Sequence, residues 1–295
     1  MKISDLTTSI WHRRSIILLR NAIAFASMAN ILILLPLWFQ DVPVYKLVHP
    51  IPGSGFWYKM THLLIEASIG VHIAFLIANS LAAVLLLNAR WRIPACLVLL
   101  FTGHNIVNLC YPYLNMSQYL LLALTTYLLF MDERADERKG ALGVISRGLT
   151  NTFFIICWAQ VLAAYIFPFI YKVQGEMWLN GTALGTILSI PEFSRNFILG
   201  FARPDHWLFM LLTWVTLFYQ AAFPILIWWK KAKPYLLVVG VMFNLGIALA
   251  MGLVDIAVVM IAAYAIVLDE ATVKKLKSWV PVFNKRRAAG LTSFG

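Results

Sequence analysis

Long apolar runs, separated by short polar segments that hold most of the charge, dominate the pattern along the chain. A helix needs about 20 apolar residues to cross a hydrocarbon core of about 30 Å. Lipid offers no hydrogen bonds, so only helices or closed barrels can cross it, and a barrel would show alternating segments of about ten residues. The uninterrupted runs therefore predict an all-α polytopic membrane protein with eight transmembrane helices. The predicted spans are 17–39, 61–87, 93–111, 114–131, 151–171, 206–229, 234–252 and 254–269.

Two apolar stretches are too long to cross only once, and each is predicted to hold two spans. Residues 235–268 contain a single charged side chain, Asp255, and we place a break near Gly252 and Asp255. Residues 93–131 are predicted to break at Pro112, because proline cannot continue the helical hydrogen-bond ladder.

The N-terminal region is predicted to remain as the first span. Arg13 and Arg14 precede an apolar run in which residues 24–26, Ala-Phe-Ala, have the form of a signal-peptide cleavage site. Arg20 interrupts the stretch before that site, and the main apolar run continues past it to Phe39. We therefore interpret the run as a transmembrane helix rather than as a cleaved signal peptide.

The charge distribution tests the count of spans. The chain of 295 residues is 61% hydrophobic and 13% charged, with a mean hydropathy of +0.78 and a net charge of +11. With eight spans and the N-terminus inside, all but five of the 24 basic residues fall on the cytoplasmic side, as the positive-inside rule requires. The five exceptions are Lys46, Lys59, Lys172, Arg195 and Arg203. We therefore predict a multi-pass protein of the bacterial inner (plasma) membrane with cytoplasmic N- and C-termini and no nucleic-acid partner.

A weak internal repeat relates the two halves of the chain. Residues 121–133 and 258–270 each contain a tyrosine that is followed five residues later by Asp-Glu. Four helices in each half would give both halves the same orientation in the membrane. Chance similarity between apolar runs is the alternative. The predicted organisation is one membrane domain, 1–295, with a first helical half, 1–140, and a second helical half, 141–295.

Three segments outside the spans carry distinct expectations. Residues 40–60 are rich in proline and glycine and include Trp57 and Tyr58, which suit the membrane interface. Residues 177–190 are mostly apolar but too short to cross, so we expect them to be re-entrant or to lie along the interface. Residues 132–138 form a charged cytoplasmic loop that is expected to be a solvated surface.

Polar side chains within the predicted spans are the first candidates for chemistry, because burying them in lipid is costly. At about 1.5 Å of rise per residue, six of them fall near the middle of the membrane. These six are Asn30, His72, His104, Asn105, Gln160 and Asn244. Glu66 falls in the outer part of its span, one turn from His62, and Lys172 ends the fifth span. The functional interpretation is a polar pocket that opens outward, and the alternative is hydrogen bonding between helices, at about 0.6 kcal/mol each.

Metal, thiol and phosphate chemistry are not predicted. Cys96, Cys110 and Cys157 lie singly in apolar runs, where they are expected to pack as small side chains. The six histidines contain no HxxxH or HExxH spacing, so no metal ligand set is assigned. The chain also has no Gly-rich phosphate loop and no GxSxG sequence.

The segment 171–183, YKVQGEMWLNGTA, is the most distinctive in the chain. Its lysine ends a span, Trp178 suits the interface, and its two glycines allow tight turns. This predicts a helix that leaves the membrane and re-enters it shallowly, with an ordinary interfacial loop as the alternative. The segment resembles the signature of the HTTM superfamily, which includes the vitamin-K-dependent gamma-carboxylases. The resemblance continues through the arginine-flanked first span, the proline-containing sixth span and the closing pair around 243–244 and Tyr264.

The resemblance implies a helical membrane core that binds a lipid-like or quinone-like molecule. In gamma-carboxylases a lysine near this motif is the proposed base that deprotonates vitamin K hydroquinone, and Lys172 is the position that corresponds. Glu66 and His104 are the other candidate catalytic residues. The candidate substrate- or quinone-binding residues are His72, Asn105, Gln160, Trp178 and Asn244. The chain is more similar to short bacterial members, some of which assist the maturation of secreted peptides.

Three functions follow as hypotheses. The first is assistance in the maturation or modification of an exported substrate, with the lipid bilayer, an exported peptide and soluble maturation proteins as partners. The second is a quinol-dependent redox enzyme similar to gamma-carboxylases, for which a quinone is the implied cofactor. The third is a non-enzymatic membrane scaffold or immunity-type protein. Whether the chain is an enzyme is left open at this point.

Overall fold

The protein is all-helical throughout the part of the chain that the computed structural model describes, which is residues 5–39, 56–109 and 115–279. No strand occurs in these ranges, so the all-α part of the predicted fold class is confirmed. The helices are α1 (Asp5–Thr8), α2 (Arg13–Trp38), α3 (Phe56–Ile65), α4 (Ile69–Leu86), α5 (Arg92–Leu109), α6 (Met116–Phe130), α7 (Gly140–Lys172), α8 (Glu176–Leu179), α9 (Ala183–Leu188), α10 (Asn196–Leu199), α11 (Trp207–Leu226), α12 (Lys233–Met251), α13 (Val254–Ala263) and α14 (Glu270–Trp279).

Six helical segments among the described residues are long and apolar enough to cross a membrane. They are Arg13–Trp38, Ile69–Leu86, Ala89–Leu109, Gly140–Lys172, Trp207–Leu226 and Lys233–Met251. The remaining two predicted spans, 114–131 and 254–269, correspond to shorter helices. α6 has 15 residues, and α13 has 10 residues followed by a 3-10 turn over Tyr264–Val267. Six helices could therefore cross a membrane by length and composition, and the count of eight stays a prediction.

The second predicted span, 61–87, is wrong at its start, because two helices occupy it. α3 ends at Ile65 and α4 begins at Ile69, after Ser68 in an extended conformation (φ −65°, ψ 156°). An extended residue interrupts the helical ladder, and the N–H of Ala67 donates to the carbonyl of Leu64 in a tight turn (3.1 Å). Glu66 consequently lies in this turn and is exposed, not embedded within a span.

The break predicted near Gly252 is present. α12 ends at Met251, Gly252 adopts a φ of +76°, and α13 begins at Val254. Glycine reaches this left-handed conformation without the steric penalty that a Cβ imposes. The other predicted break, at Pro112, lies outside the described residues. On its C-terminal side, α6 begins after Asn115, whose side chain accepts a hydrogen bond from the N–H of Ser117 (2.8 Å).

The described helices belong to two compact units, residues 1–159 with 244–266 and residues 160–243 with 267–295. In the first unit α2, α4, α5, α6 and α13 pack against one another, and side chains of α2, α3, α4 and α5 form a buried apolar cluster. That cluster includes Ile31, Leu34, Trp38, Leu76, Ile106 and Leu109. In the second unit α8 and α9 pack against α11. The predicted halves, 1–140 and 141–295, describe a sequence duplication that stays a prediction.

The charged segment 132–138 is not simply the solvated surface that its composition suggested. Asp132 and Glu133 are buried in the first unit. Arg20 of α2 donates a hydrogen bond to Glu133 (3.0 Å), and Arg138 pairs with Asp132 (2.7 Å). Carboxylates can be buried here because each has a guanidinium partner, which offsets part of the cost of removing it from water.

Candidate functional site

Lys172 is the residue on which the candidate site is built. It is the last residue of α7 and is partly buried. Its ammonium donates a hydrogen bond to Oε1 of Gln220 in α11, with an Nζ–Oε1 distance of 3.1 Å. Gln220 is itself buried, so the acceptor is held inside the second unit rather than at its surface. The cluster of Lys172, Gln220 and Trp178 is called the lysine site below.

Trp178 reaches Lys172 because the chain turns tightly after α7. The N–H of Gly175 donates to the carbonyl of Lys172 (3.0 Å), and the N–H of Trp178 donates to the carbonyl of Gly175 (3.0 Å). This turn brings the Trp178 ring beside the amine, with 4.9 Å between Nζ and the ring centroid. A cation near an aromatic face is attracted by the ring quadrupole, which contributes about 0.5–2 kcal/mol. Two residues of the predicted site, Lys172 and Trp178, are therefore in contact.

The second part of the signature docks onto α11. Gly181 adopts a φ of +87°, and the N–H of Leu184 donates to the hydroxyl of Thr213 (3.1 Å). The indole N–H of Trp214 donates to the carbonyl of Leu179 (3.2 Å). A Cβ added to Gly185 would lie 2.3 Å from the carbonyl oxygen of Arg203, so only glycine allows this approach. Residues 177–190 thus form two short helices against α11, with the lysine site at their N-terminal end.

Stacked aromatic rings join α7 and α11 in the same unit. The ring of Tyr165 in α7 stacks on Phe223 at a centroid distance of 4.0 Å, and Tyr219 contacts both rings. Tyr219 also donates its hydroxyl hydrogen to the carbonyl of Leu236 in α12 (3.3 Å). Because Tyr165 and Tyr219 are each almost fully buried, they fix the register between α7 and α11. That register sets the distance between Lys172 and Gln220.

The chemistry available at the lysine site is that of a cation with neutral partners. Among the described residues no carboxylate forms an ion pair with Lys172. An ammonium has three N–H donors, and Gln220 accepts one of them. A partly buried charge without a counter-ion is costly unless further hydrogen bonds or an anion satisfy it. The arrangement is therefore suited to an anionic group or to an oxygen that accepts a hydrogen bond.

The other predicted catalytic residues belong to the first unit, whereas Lys172 belongs to the second. Glu66 is exposed in the turn between α3 and α4, and His104 is half-buried in α5. His72 is fully buried in α4, with its ring 6.4 Å from that of Trp38. Glu66, His104 and His72 all lie in the first unit, and the role predicted for each of them stays a prediction.

The predicted binding residues are likewise distributed. Asn105 is fully buried in α5 and donates to the carbonyl of Phe101 in its own helix (2.7 Å). Asn244 of α12 donates to the hydroxyl of Tyr264 in the first unit (3.0 Å), which is a hydrogen bond between helical segments. Gln160 is half-buried in α7. The binding roles of Asn105, Asn244 and Gln160 stay predictions.

Gln220 and Asp255 are among the buried polar residues that the sequence reasoning missed. Gln220 lies within an apolar helix just as Gln160 does, so the same criterion would have selected it. Asp255 was interpreted only as a marker of a break, yet its carboxylate is buried and accepts hydrogen bonds from α6. The donors are Asn115, Ser117 (3.0 Å) and Gln118 (2.7 Å). No sequence signal pairs α13 with the start of α6, since the residues are some 140 positions apart.

Comparison with protein-family models, with curated proteins and with solved structures found no match for this chain.

Proposed function

We propose that the protein is an eight-span HTTM-type protein of the bacterial inner membrane, with both termini in the cytoplasm, which supports the maturation or modification of an exported substrate. The observation that carries the proposal is the lysine site. Lys172 of the signature segment hydrogen-bonds to buried Gln220 and lies beside Trp178, with no carboxylate partner among the described residues. A lysine that served only to anchor the helix end at the interface would not need a buried acceptor from a second helix.

The proposed action of the site is to hold an acidic or hydrogen-bond-accepting group of the substrate. The amine supplies the charge, Gln220 orients it, and the indole ring provides a flat apolar wall. An exported peptide offers carboxylates, and a quinol offers ring oxygens, so both substrate classes fit the same donor set. Soluble maturation proteins are the partners that would complete such a reaction.

The test is a comparison of exported products in a deletion strain. The strain is complemented with the wild-type protein, with Lys172→Met or with Lys230→Met, and the secreted and envelope fractions are analysed by mass spectrometry. Lys230 is an exposed lysine in the α11–α12 connection and provides the matched control. We expect an exported product whose mass or abundance changes on deletion and is restored by wild type and Lys230→Met, but not by Lys172→Met. Equal restoration by all three proteins at equal membrane levels would rule the proposal out.

A quinol-dependent redox enzyme is the second candidate, favoured by the aromatic wall that Trp178 places beside the amine. Purified protein should then retain a quinone through detergent exchange, or bind added quinone with quenching of indole fluorescence. Trp178→Leu should lose this binding, while Trp229→Leu, which alters an exposed indole, should keep it. If quinone is neither bound nor consumed, this candidate fails.

The scaffold or immunity-type function is the remaining alternative, and one result would select it. Suppose that Lys172→Ala and Glu66→Ala both leave the cellular phenotype of the wild-type protein intact. That result would support the scaffold or immunity-type function and would count against both chemical functions. The two substitutions are informative together because they lie in different units.

A further inference from the structure

An arginine-lined pocket in the first unit lies apart from every residue assigned above. It occupies about 300 Å³ and opens between the start of α5 and the loop that follows α6. Its charged lining comprises Arg90, Arg92, Asp132, Arg134, Glu137 and Arg138. Four guanidinium groups therefore face two carboxylates, and the pocket has an excess of positive charge.

The two carboxylates of this arginine pocket already have cationic partners. Asp132 pairs with Arg138 (2.7 Å), and Glu137 pairs with Arg13 of α2 (2.8 Å). Neither acid is therefore available to neutralise the remaining guanidinium groups.

The arginines of the pocket divide into two kinds. Arg92 is buried, and its Nη1 donates to the carbonyl oxygens of Leu128 and Leu129 at the end of α6, both at 2.7 Å. The guanidinium groups of Arg90 and Arg134 have no hydrogen bond or ion pair within the described ranges. Arg92 and Arg138 thus build the pocket, while Arg90 and Arg134 are free to bind a ligand.

A phosphate group is the ligand chemistry that fits this arrangement. The planar guanidinium matches the geometry of phosphate oxygens and binds them through paired hydrogen bonds. Two such groups at the rim of one concave pocket can hold a single phosphate from two sides. The volume of about 300 Å³ is large enough for a phosphate with a short polar substituent.

The surroundings of the pocket favour a lipid as the source of that phosphate. The pocket lies where α4 ends and α5 begins, and both segments are apolar enough to cross a membrane. Trp91 and Ile93 are about half exposed beside Arg92, and Phe130 is exposed where α6 ends. Exposed aromatic and apolar groups next to arginines are typical of the headgroup level of a bilayer, where basic pockets between helices bind anionic lipids.

We propose that the arginine pocket binds the headgroup of an anionic phospholipid, with the phosphate between Arg90 and Arg134 and the acyl chains along the exposed apolar side chains at the ends of α5 and α6. The site is independent of the lysine site and of any reaction there.

The test uses full-length protein purified in a neutral detergent, with native mass spectrometry and thermal unfolding in the presence of defined lipids. Phosphatidylglycerol is compared with phosphatidylcholine and with glycerol phosphate, which carries the charge without acyl chains. The variant is Arg90→Gln with Arg134→Gln. The matched control is Arg195→Gln with Arg203→Gln, which removes the same charge from two exposed arginines of the second unit.

We expect phosphatidylglycerol to remain bound and to raise the melting temperature, and phosphatidylcholine to do neither. The Arg90/Arg134 variant should bind phosphatidylglycerol about tenfold more weakly or worse, since each basic group near an anionic surface contributes about 1 kcal/mol. The Arg195/Arg203 control should bind as wild type does. Without lipid all three proteins should melt alike, because the substituted guanidinium groups form no hydrogen bond or ion pair within the described ranges.

Each other outcome contradicts the proposal. An equal loss in variant and control would mean that lipid responds only to total charge. Equal binding of phosphatidylcholine would mean that the headgroup charge is not recognised. If glycerol phosphate protects as well as phosphatidylglycerol does, the pocket is a site for free phosphate compounds. A second variant, Arg90→Lys with Arg134→Lys, keeps the charge but lacks the planar guanidinium groups, so it should bind phosphatidylglycerol more weakly than wild type and more tightly than the glutamine variant. Binding as tight as that of wild type would contradict recognition through paired guanidinium hydrogen bonds.

Discussion

Gly181, in the signature segment 171–183, has a backbone conformation that requires glycine. Its φ of +87° lies in the left-handed region, and a Cβ added to it would lie 3.0 Å from Cε2 of Trp214. The same indole holds the preceding turn through its hydrogen bond to the carbonyl of Leu179. The glycine therefore permits both the turn and the close packing on α11.

Gly181→Ala should destabilise the protein by about 1–3 kcal/mol, because a residue with a Cβ is strained in this conformation. The measurement is thermal or denaturant unfolding of the purified protein in detergent. Gly200→Ala is the control, since Gly200 has an ordinary φ of −66° and no atom within 4 Å of an added Cβ. A similar loss in both variants would show that the strain at Gly181 is not the cause.

Gln220→Leu should cost about 1–3 kcal/mol, because the partly buried amine of Lys172 loses its acceptor. The double variant Lys172→Met with Gln220→Leu should lose less stability than the two single variants added together, since neither partner is then left unpaired. Equilibrium unfolding of the four proteins measures this coupling. Gln174→Leu, at an exposed position of the adjoining turn, should change stability little. Strict additivity would contradict the coupling of Lys172 and Gln220.

At the residue scale the sequence predicted two of the three residues of the lysine site, Lys172 and Trp178. Lys172 and Trp178 are close in the chain, so their spacing and their residue types were informative. Gln220 comes from a helix 48 residues away and was overlooked, although a glutamine in an apolar helix is a detectable signal. Glu66 was misplaced because hydropathy does not register an interruption as short as Ala67-Ser68.

At the element scale, α14 is joined to the start of α12 by one ion pair. Asp269 caps α14 by accepting the N–H of Thr272 (2.8 Å), and it also accepts a hydrogen bond from the ammonium of Lys233 (2.7 Å). Burial raises the pKa of the Asp269 carboxyl, but the hydrogen bonds from Lys233 and Thr272 outweigh burial and lower the pKa from 3.8 to about 2. The ionised carboxylate is therefore favoured by the folded state.

The sign of the pH dependence follows from this lowered pKa. A carboxyl whose pKa is lower in the folded protein stabilises it above its unfolded pKa of about 4, and that contribution is lost as the pH falls through about 2. The difference in melting temperature between wild type and Asp269→Asn should thus be full at pH 6 and shrink between pH 4 and pH 2. Asp205→Asn, at an exposed position, should show no such change. A difference that is constant with pH would contradict the assignment.

Element boundaries were predicted well only where a residue type imposes them. The break at Gly252 was identified because glycine and a nearby charge stand in an apolar run. The capping box at Asn115 and the pairing of Asp255 with α6 depend on groups from distant parts of the chain. α14 follows the last apolar run and carries six charged or polar residues on ten positions, so hydropathy gave no reason to expect it.

At the scale of the whole molecule, the count of crossings decides on which side each loop lies. With eight spans and the N-terminus inside, Lys2 and Lys139 lie in the cytoplasm and Arg195 lies outside. If α6 and α13 did not cross, the positions of Lys139 and Arg195 would be reversed relative to Lys2. The positive-inside rule favours the first arrangement.

Single cysteines at these three positions should reveal the topology in intact cells. In a background without Cys96, Cys110 and Cys157, a membrane-impermeant maleimide should label Arg195→Cys but neither Lys2→Cys nor Lys139→Cys. All three should be labelled after the cells are permeabilised, which controls for exposure of the thiols. Labelling of Lys139→Cys in intact cells while Lys2→Cys stays protected would contradict the eight-span topology.

The sequence by itself determined the all-helical fold, the break at Gly252 and the place of Lys172 at the end of an apolar helix, shortly before Trp178. It could do so because length, hydropathy and local backbone preference are properties of neighbouring residues. The tertiary structure alone decided that Gln220 receives the amine of Lys172, that Asp255 is held by α6 and that Arg90 and Arg134 share a pocket. These contacts join distant segments, and uniformly apolar helices carry no local pattern that specifies which faces meet.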